Sequence, residues 1–332
     1  MIEEQQRIDE LARAALEPFG LEPDSTVTLC NVSENHTYRV EEPSSGRSFA
    51  LRVHRPGYRN VAQIESELIW LDALRDDEVV ETPPAVRAPD GRRVVSVEVP
   101  GLGARNVVVF DWLPGTPPDL DAGQAAIAQF KTLGSISARM HGHVRQWRRP
   151  ADFTRPRWDY DYSIGPLGHW GPWREGLGIG PDELALLERL DATVAARLER
   201  YGQDENRFGL VHADFRLANL LVDGDRVVVI DFDDCGFSWY AYDFATTITF
   251  IEDDPRVPEW REAWVEGYRS VADLEPAAEA ELETFVMMRR LLIVAWIGSH
   301  HTFAPEAAEL GVPYTNVTCE LAENYLSTHA TR

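Results

Sequence analysis

The chain has 332 residues, and 44% of them are hydrophobic, which is enough for a sizeable core in one large domain or two lobes. Its formal net charge is −23 and its pI is about 4.7, which argues against nucleic acid or an anionic membrane as the main partner. A cationic substrate would suit this charge, and so would a surface whose carboxylates are simply solvated.

The first third of the chain is predicted to form helices and an antiparallel sheet. Apolar residues recur at helical spacing over residues 3–17. A second helix is expected over 61–75, where Ile64 and Leu68 begin an apolar stripe. Apolar and β-branched runs predict five strands, at 26–30, 36–41, 48–53, 92–99 and 105–111. These elements together predict a small sheet lobe at the N-terminus.

A stretch rich in proline and glycine, residues 114–118, ends the strand pattern and predicts a linker. Beyond it the sequence is mostly helical, with helices expected at 119–146, 182–200, 261–269 and 279–297. Residues 147–181 are irregular and unusually aromatic. Long loops inside compact folds are usually functional or disordered, and aromatic residues argue against disorder. This loop is therefore expected either to wall a substrate pocket or to cover the core.

Residues 210–236 predict a strand, a polar loop, a hairpin and an acidic loop. The hairpin consists of an apolar run at 220–222, a turn at 223–225 and a β-branched strand at 227–230. It therefore brings two polar clusters near each other. The first cluster contains His212, Asp214, Arg216 and Asn219, and the second contains Asp231, Asp233 and Asp234.

These clusters contain the groups that phosphoryl transfer requires, since that reaction asks a protein mainly for positioning and charge neutralisation. Mg²⁺ prefers oxygen ligands, commonly one or two carboxylates plus phosphate oxygens, and Asn219 and Asp231 would supply protein oxygens. Asp214 would accept the proton of an attacking hydroxyl. The frame H-x-D-x-x-x-x-N, followed by a strand and D-F, is typical of the catalytic and metal loops of kinases.

A hydrolase with a nucleophilic aspartate in Asp231-Phe232-Asp233 is a weaker alternative. Such a nucleophile would follow a first parallel strand, early in the chain. No doubly wound pattern follows this segment, so the kinase interpretation is preferred.

The motifs resemble those of the aminoglycoside phosphotransferase family, which includes choline, homoserine and methylthioribose kinases. The family pattern H-G-D-x-x-x-x-N, I-D-F and Y-D-L-A corresponds here to His212-Ala213-Asp214 with Asn219, Ile230-Asp231-Phe232, and Tyr242-Asp243-Phe244-Ala245. The resemblance covers nearly the whole chain. It implies a two-lobed α+β protein-kinase-like fold, with an antiparallel sheet lobe over 1–111 and a mostly helical lobe over 112–332. It also implies that Asp243 supports the backbone of the catalytic loop.

The resemblance further implies a nucleotide site in the first lobe. Kinases have a lysine where Arg52 stands, to hold the α- and β-phosphates, and Glu67 on the following helix would pair with it. The usual glycine-rich loop is absent, and the family often replaces it with a loop ending in Glu-Asn, here Glu34-Asn35. Backbone groups of the hinge, at Asp111 and Leu113, would bind adenine. Arginine differs in shape from lysine, so a surface strand arginine is the alternative for Arg52.

Three further positions stay open between functional and structural roles. Arg216 stands where similar protein kinases have a lysine that contacts the transferring phosphate, but it would also balance nearby carboxylates. Asp233 replaces the glycine of the kinase D-F-G motif and would assist a second metal or cap the loop. The acidic run 252–254 would attract an amine substrate or form a solvated loop.

The sequence thus predicts an ATP- and Mg²⁺-dependent kinase for a hydroxyl group on a small molecule. Two alternatives are a Ser/Thr protein kinase of the bacterial stress-response type and a catalytically silent nucleotide-binding module. Three widely spaced cysteines predict neither a disulfide framework nor a zinc site. A charged N-terminus and no apolar run of membrane length favour a cytoplasmic location, and the sequence predicts no oligomeric state.

Overall fold

The computed structural model describes residues 2–224 and 226–329. The N-terminal part is a five-stranded antiparallel sheet in the order β1-β2-β3-β5-β4. Its strands are β1 (Thr26–Val32), β2 (Asn35–Glu41), β3 (Ser48–His54), β4 (Val95–Val99) and β5 (Gly103–Asp111). Its helices are α1 (Ile2–Ala14), α2 (Leu16–Phe19) and α3 (Val61–Asp76). The five predicted strands and the helix after the third strand are therefore confirmed.

Two differences in this part have local causes. The predicted first helix is divided into α1 and α2. Helix α2 ends at Gly20, which has a φ of 67°. The fourth strand begins at Val95 rather than near residue 92. The α3 boundary follows from a capping box, in which Asn60 and Gln63 exchange side-chain to backbone hydrogen bonds of 2.9 and 3.1 Å.

The C-terminal part is mostly helical, as expected. Its helices are α4 (Gln124–Gln146), α5 (Tyr160–Ser163), α6 (Pro181–Tyr201), α7 (Tyr242–Thr247), α8 (Val257–Arg269), α9 (Pro276–Ala280), α10 (Leu282–His300) and α11 (Pro305–His329). Helices α4 and α8 pack backbone to backbone at Gly134 and Gly267. A Cβ atom at either glycine would lie within 2 Å of a carbonyl oxygen of the other helix, 1.9 Å from Trp264 and 1.8 Å from Lys131.

The predicted hairpin region forms two small antiparallel sheets. Strand β6 (Phe208–Val211) pairs with β9 (Gly236–Trp239), and β7 (Leu220–Asp223) pairs with β8 (Arg226–Val229). Asp225, in the predicted turn, lies outside the described residues. The two polar clusters follow β6 and β8, and they lie close together beside the sheet of the N-terminal part.

The core is divided between the two faces of the large sheet. Residues of α1 and α2 pack on one face, whereas α3 joins the large core of the helical part. The long aromatic loop contributes buried tryptophans to that core, Trp158 and Trp173. The predicted α+β fold with an antiparallel sheet lobe and a helical lobe is confirmed, while the lobe boundary at 111/112 stays a prediction. In the described ranges, no helix is both long and apolar enough to cross a membrane.

Candidate active site

The loop after β6 is held in an unusual backbone conformation by Asp243, at the start of α7. The Asp243 carboxylate accepts the backbone N–H groups of His212 at 3.3 Å and Ala213 at 3.0 Å. Ala213 has a φ of 64°, in the left-handed region that disfavours residues with a side chain, and it replaces the glycine of the family pattern. His141 forms hydrogen bonds with the same carboxylate at 2.9 Å and with the Tyr268 hydroxyl at 3.1 Å, so it supports this arrangement.

This loop presents Asp214 with both carboxylate oxygens oriented. The Asn219 amide nitrogen donates to Asp214 Oδ2 and to its backbone carbonyl, each at 2.8 Å. Arg289 Nη2 donates to Asp214 Oδ1 at 2.6 Å. Burial opposes ionisation, but Arg216 and Arg289 together hold the pKa of Asp214 below its usual value. Asp214 is therefore an ionised acceptor at neutral pH.

Arg289, on α10, was missed by the sequence reasoning. It also donates to Tyr242 Oη at 3.3 Å, Thr249 Oγ1 at 3.2 Å and the Ala213 carbonyl at 3.4 Å. The available signal was an arginine inside an apolar helical run, because a buried charge needs partners.

The structure places Arg216 beside Asp214, as its sequence position suggested. Arg216 Nε lies 3.6 Å from Asp214 Oδ2, and the guanidinium lies 5.1 Å from the ring centre of Phe250. Arg216 Nη1 also donates to Glu306 Oε1 at 2.9 Å, at the start of α11. The Glu306 contact was not predicted, and it leaves both proposed roles of Arg216 open.

Asp231 follows β8 with a φ of 59° and lines the cleft opposite Asp214. The side chain of Asp231 is 46% exposed, but desolvation by the surrounding groups raises its pKa. The positive charge of Arg52 lowers this pKa, and the negative charge of Asp233 raises it further. A divalent cation would relieve this crowding of negative charge. Asn219 uses its amide nitrogen on Asp214, so its Oδ1 remains for such a cation.

The donor set suits Mg²⁺ better than a cage-forming metal. Within residues 2–224 and 226–329, no group of three or more His, Cys, Asp or Glu side chains surrounds a common metal position. Mg²⁺ is usually bound by one or two carboxylates together with waters and substrate phosphates. Asp231 and Asn219 therefore fit a cation that arrives with a nucleotide.

Arg52, on β3, is buried behind Asp231 and Asp233 and is not a surface arginine. Its Nη1 donates to both oxygens of Glu67, at 2.9 and 3.1 Å, and Glu67 is fully buried on α3. Its Nη2 lies 3.6 Å from Asp231 Oδ1. The structure thus brings together the two residues that were expected to pair, and Arg52 also lies next to Asp231 in the loop after β8.

Asp233 connects the loop after β8 to the large sheet. Neither of its two predicted roles included this connection. Its Oδ2 accepts from Asn35 Nδ2 at 2.8 Å, and its Oδ1 lies 3.5 Å from Arg52 Nη1. Asn35, predicted as part of a phosphate-binding loop, therefore has its side chain committed to Asp233. Arg155, from the aromatic loop, donates to the Cys235 carbonyl at 2.6 Å and to the Gln63 carbonyl of α3 at 2.8 Å.

The predicted hinge begins next to Phe110, which lies against Arg52. The Phe110 ring lies 5.1 Å from the Arg52 guanidinium carbon, and Asp111 and Leu113 come next in the chain. The Asp111 N–H already donates to the Pro84 carbonyl at 3.0 Å. An adenine at this hinge would therefore have to use the Asp111 carbonyl and the Leu113 backbone.

The cleft between the two parts has a cavity volume of about 80 Å³ and opens to solvent. Three aromatic side chains, Trp170, Phe250 and Trp296, line it beside the polar clusters. The aromatic loop thus does both things expected of it, since Trp170 walls the cleft and other tryptophans cover the core. The cleft has room for a small molecule next to Asp214.

The acidic run 252–254 is not part of this cleft. Glu252 is buried and pairs with Arg290 Nη1 at 2.9 Å and with Tyr314 Oη at 3.1 Å. Asp254 pairs with Arg256 at 2.7 Å. Glu252 is therefore used in an internal ion pair, whereas Asp253 is exposed and Asp254 pairs with a partly exposed arginine, so the solvated interpretation holds for the end of the run.

Comparison with known proteins agrees with this geometry. The sequence model of the phosphotransferase enzyme family APH matches residues 28–281. A microcompartment-associated aminopropanol kinase of known structure is 45% identical, with a TM-score of 0.89 over 97% of this chain and 99% of that chain. The amicoumacin kinase of Bacillus subtilis (strain 168) is 24% identical over 294 residues, which are 85% of this chain and 82% of that protein.

The structure of an amicoumacin kinase in complex with AMP-PNP, Ca²⁺ and Ami shares the fold at 21% identity. Its TM-score is 0.71, over 89% of this chain and 88% of that chain. The family match covers well over half of the sequence and confirms the resemblance carried by the motifs. The chain therefore belongs to the phosphotransferase enzyme family, and it is a kinase-type enzyme with an alcohol group as acceptor.

Proposed function

We propose that the enzyme uses ATP and Mg²⁺ to phosphorylate the hydroxyl group of a small amino alcohol. The observation that carries the proposal is the oriented, ionised Asp214, which is held by a 2.8 Å hydrogen bond from Asn219 and lines the same cleft as Asp231. The choice of an amino alcohol is supported by the 45% identity to an aminopropanol kinase over nearly the whole chain.

In this mechanism the chain's own residues position the reactants. Asp214 accepts a hydrogen bond from the acceptor hydroxyl and takes its proton as the phosphoryl group transfers. Asp231 and the Asn219 amide oxygen hold Mg²⁺, and Arg52, steadied by Glu67, binds the α- and β-phosphates. Bound Mg²⁺ would supply positive charge at the phosphate oxygens, and bound ATP would supply the phosphoryl group. Arg216 stabilises the charge that spreads over the transferring group.

A coupled ADP-release assay tests the proposal directly. The acceptors would be isopropanolamine, ethanolamine, choline, homoserine and an aminoglycoside, each with and without Mg²⁺. Mg²⁺-dependent release with the small amino alcohols is expected. Release only with a protein acceptor would indicate the protein-kinase alternative. AMP-PNP binding without release from any acceptor would indicate a silent nucleotide-binding module.

Arg52 and Glu67 are expected to act as a unit on nucleotide affinity. A double-mutant cycle with Arg52→Met and Glu67→Gln should show a coupling energy of about 0.5–3 kcal/mol, because the two side chains are in direct contact. Calorimetry of AMP-PNP binding measures it. Arg93 and Glu65, an ion pair at 2.7 Å beyond the cleft lining, provide a matched control cycle that should leave nucleotide affinity unchanged. Additive effects at Arg52 and Glu67 would argue against the proposed phosphate role.

Arg216→Ala is expected to lower kcat and kcat/KM by similar factors with little change in Tm. Such a pattern indicates an interaction made only in the transition state. Steady-state kinetics and thermal unfolding measure the two effects. Glu306→Gln is the control, since it removes the outer partner of Arg216 and keeps its charge. An earlier melting transition with unchanged turnover per folded molecule would assign Arg216 to charge balance instead.

A further inference from the structure

The carboxylates that line the cleft differ in how far their oxygens are already used. They are Glu34, Asp214, Asp231, Asp233, Asp234 and Glu306. Asp214 and Asp233 have a contact to a donor at each oxygen, and Asp231 is assigned to the metal. Glu34 contacts Trp296 Nε1 at 3.0 Å and His300 Nε2 at 2.8 Å through one oxygen, and Arg55 at 3.4 Å through the other. Apart from Asp214, which is assigned to the acceptor hydroxyl, and Asp231, two carboxylates of the cleft, Asp234 and Glu306, have an oxygen that meets no donor among the described residues.

Asp234 is one of these two, and it is rigidly held. Its Oδ1 accepts both the Tyr58 hydroxyl at 2.5 Å and Arg59 Nη2 at 2.7 Å. Its backbone carbonyl accepts from Trp158 Nε1 at 2.7 Å. In the part of the chain that the structure describes, its Oδ2 has no donor, and 15% of its side-chain surface is exposed. One oxygen is therefore anchored, and the other is left at the wall of the cleft.

The second candidate is Glu306, and it is less suited to discriminate charge. Its side chain is 44% exposed, and it already pairs with Arg216 at 2.9 Å. Exposed ion pairs are screened by water and contribute little, whereas a desolvated carboxylate interacts strongly with a cation. Asp234 is the more buried of the two, so it is the better determinant of substrate charge.

The surroundings of Asp234 also favour a cation. Burial raises the pKa of Asp234 to about 7, Arg59 opposes this, and the charges of Asp214 and Asp233 add to it. A positive ligand would offset that accumulation of negative charge. Trp170 and Trp296 line the same cleft, and the Arg289 guanidinium already lies 6.0 Å from the ring centre of Trp170, as expected of an aromatic ring that attracts cations.

We propose that Asp234 Oδ2 and the indole face of Trp170 form the subsite for the substrate's primary ammonium group. This inference rests on the proposed function and specifies its substrate recognition. A short amino alcohol has its hydroxyl at Asp214 and its ammonium at Asp234, which line the same cleft. The subsite takes an alkylammonium group and gives no advantage to the neutral diol of the same skeleton.

The test compares isopropanolamine with propylene glycol, which has a hydroxyl in place of the ammonium. Asp234→Asn keeps one oxygen for Tyr58 and Arg59 but places an amide N–H₂ where the second oxygen lies. We expect kcat/KM for isopropanolamine to fall about 10²-fold, a size typical of truncating a buried charge partner. The value for propylene glycol should stay within about threefold, since the diol makes no ion pair. Calorimetry of isopropanolamine binding without nucleotide should show the same loss.

Three further variants separate the possible causes. Tyr58→Phe removes an anchor of Asp234 and should keep the preference for the amine, whereas Trp170→Leu should lose about tenfold of it. If Glu306→Gln abolishes the preference and Asp234→Asn does not, the inference is overturned. If Asp234→Asn does not fold, an unchanged preference in Trp170→Leu overturns it instead. A wild-type enzyme without amine preference contradicts the proposed function itself, while an Asp234→Asn enzyme that keeps the preference contradicts only this subsite.

Discussion

Replacing Asp214 by asparagine is expected to reduce turnover by about 10²–10⁴-fold while Mg²⁺·ATP binding is retained. Asp214 lies outside the proposed metal set, and its carboxylate is the group that would take the hydroxyl proton. Asparagine still has an oxygen to accept the 2.6 Å hydrogen bond from Arg289, so the loop after β6 should keep its conformation. ADP release gives the turnover, and calorimetry with AMP-PNP gives the affinity.

Asp191→Asn is the matched control for this variant. Asp191 is also buried, and it pairs with the Tyr160 hydroxyl at 2.7 Å and Arg174 at 3.2 Å, but it is not among the residues that line the cleft. A fall in turnover for Asp214→Asn that Asp191→Asn does not share would separate catalysis from folding. Turnover near the wild-type value in Asp214→Asn would remove it as the general base.

The sheet and α3 were predictable because their signals are local. The apolar stripe of α3 favoured Glu67 over Glu65, and the resemblance to kinases then implied that Glu67 pairs with Arg52. The catalytic frame is likewise contiguous, and its spacing alone places Asn219 against Asp214. Periodicity, short-range spacing and the family resemblance thus indicated the centre of the candidate site.

The partners that fix this centre were not predictable, because they come from distant parts of the chain. Arg289 contacts Asp214 from α10, and Arg155, in the irregular aromatic loop, contacts the backbone of the loop after β8. The Asp234 anchors, Tyr58 and Arg59, lie in the turn after β3. The apolar run around Arg289 indicates that this arginine is buried, but nothing in the local sequence specifies its partner or the partners of the other three residues.

Removing the carboxylate of Asp231 is expected to abolish the metal dependence of nucleotide binding. The site has few protein ligands, so the loss of one carboxylate leaves Mg²⁺ attached mainly through the nucleotide. Asp231 has a φ of 59°, a conformation that asparagine tolerates better than alanine, so Asp231→Asn is the matched companion of Asp231→Ala. Calorimetry of AMP-PNP binding, in Mg²⁺ and in EDTA, measures the dependence in both variants.

The sign of the effect in EDTA distinguishes the cause. Without metal, Asp231 repels the phosphates, so its removal should leave the EDTA affinity unchanged or higher, while the affinity in Mg²⁺ falls to that level. A variant that merely misfolds would lose affinity in both buffers. If both Asp231 variants keep the wild-type difference between Mg²⁺ and EDTA, the cation lies elsewhere, and the pairing of Asp231 with Asn219 as its protein ligands is wrong.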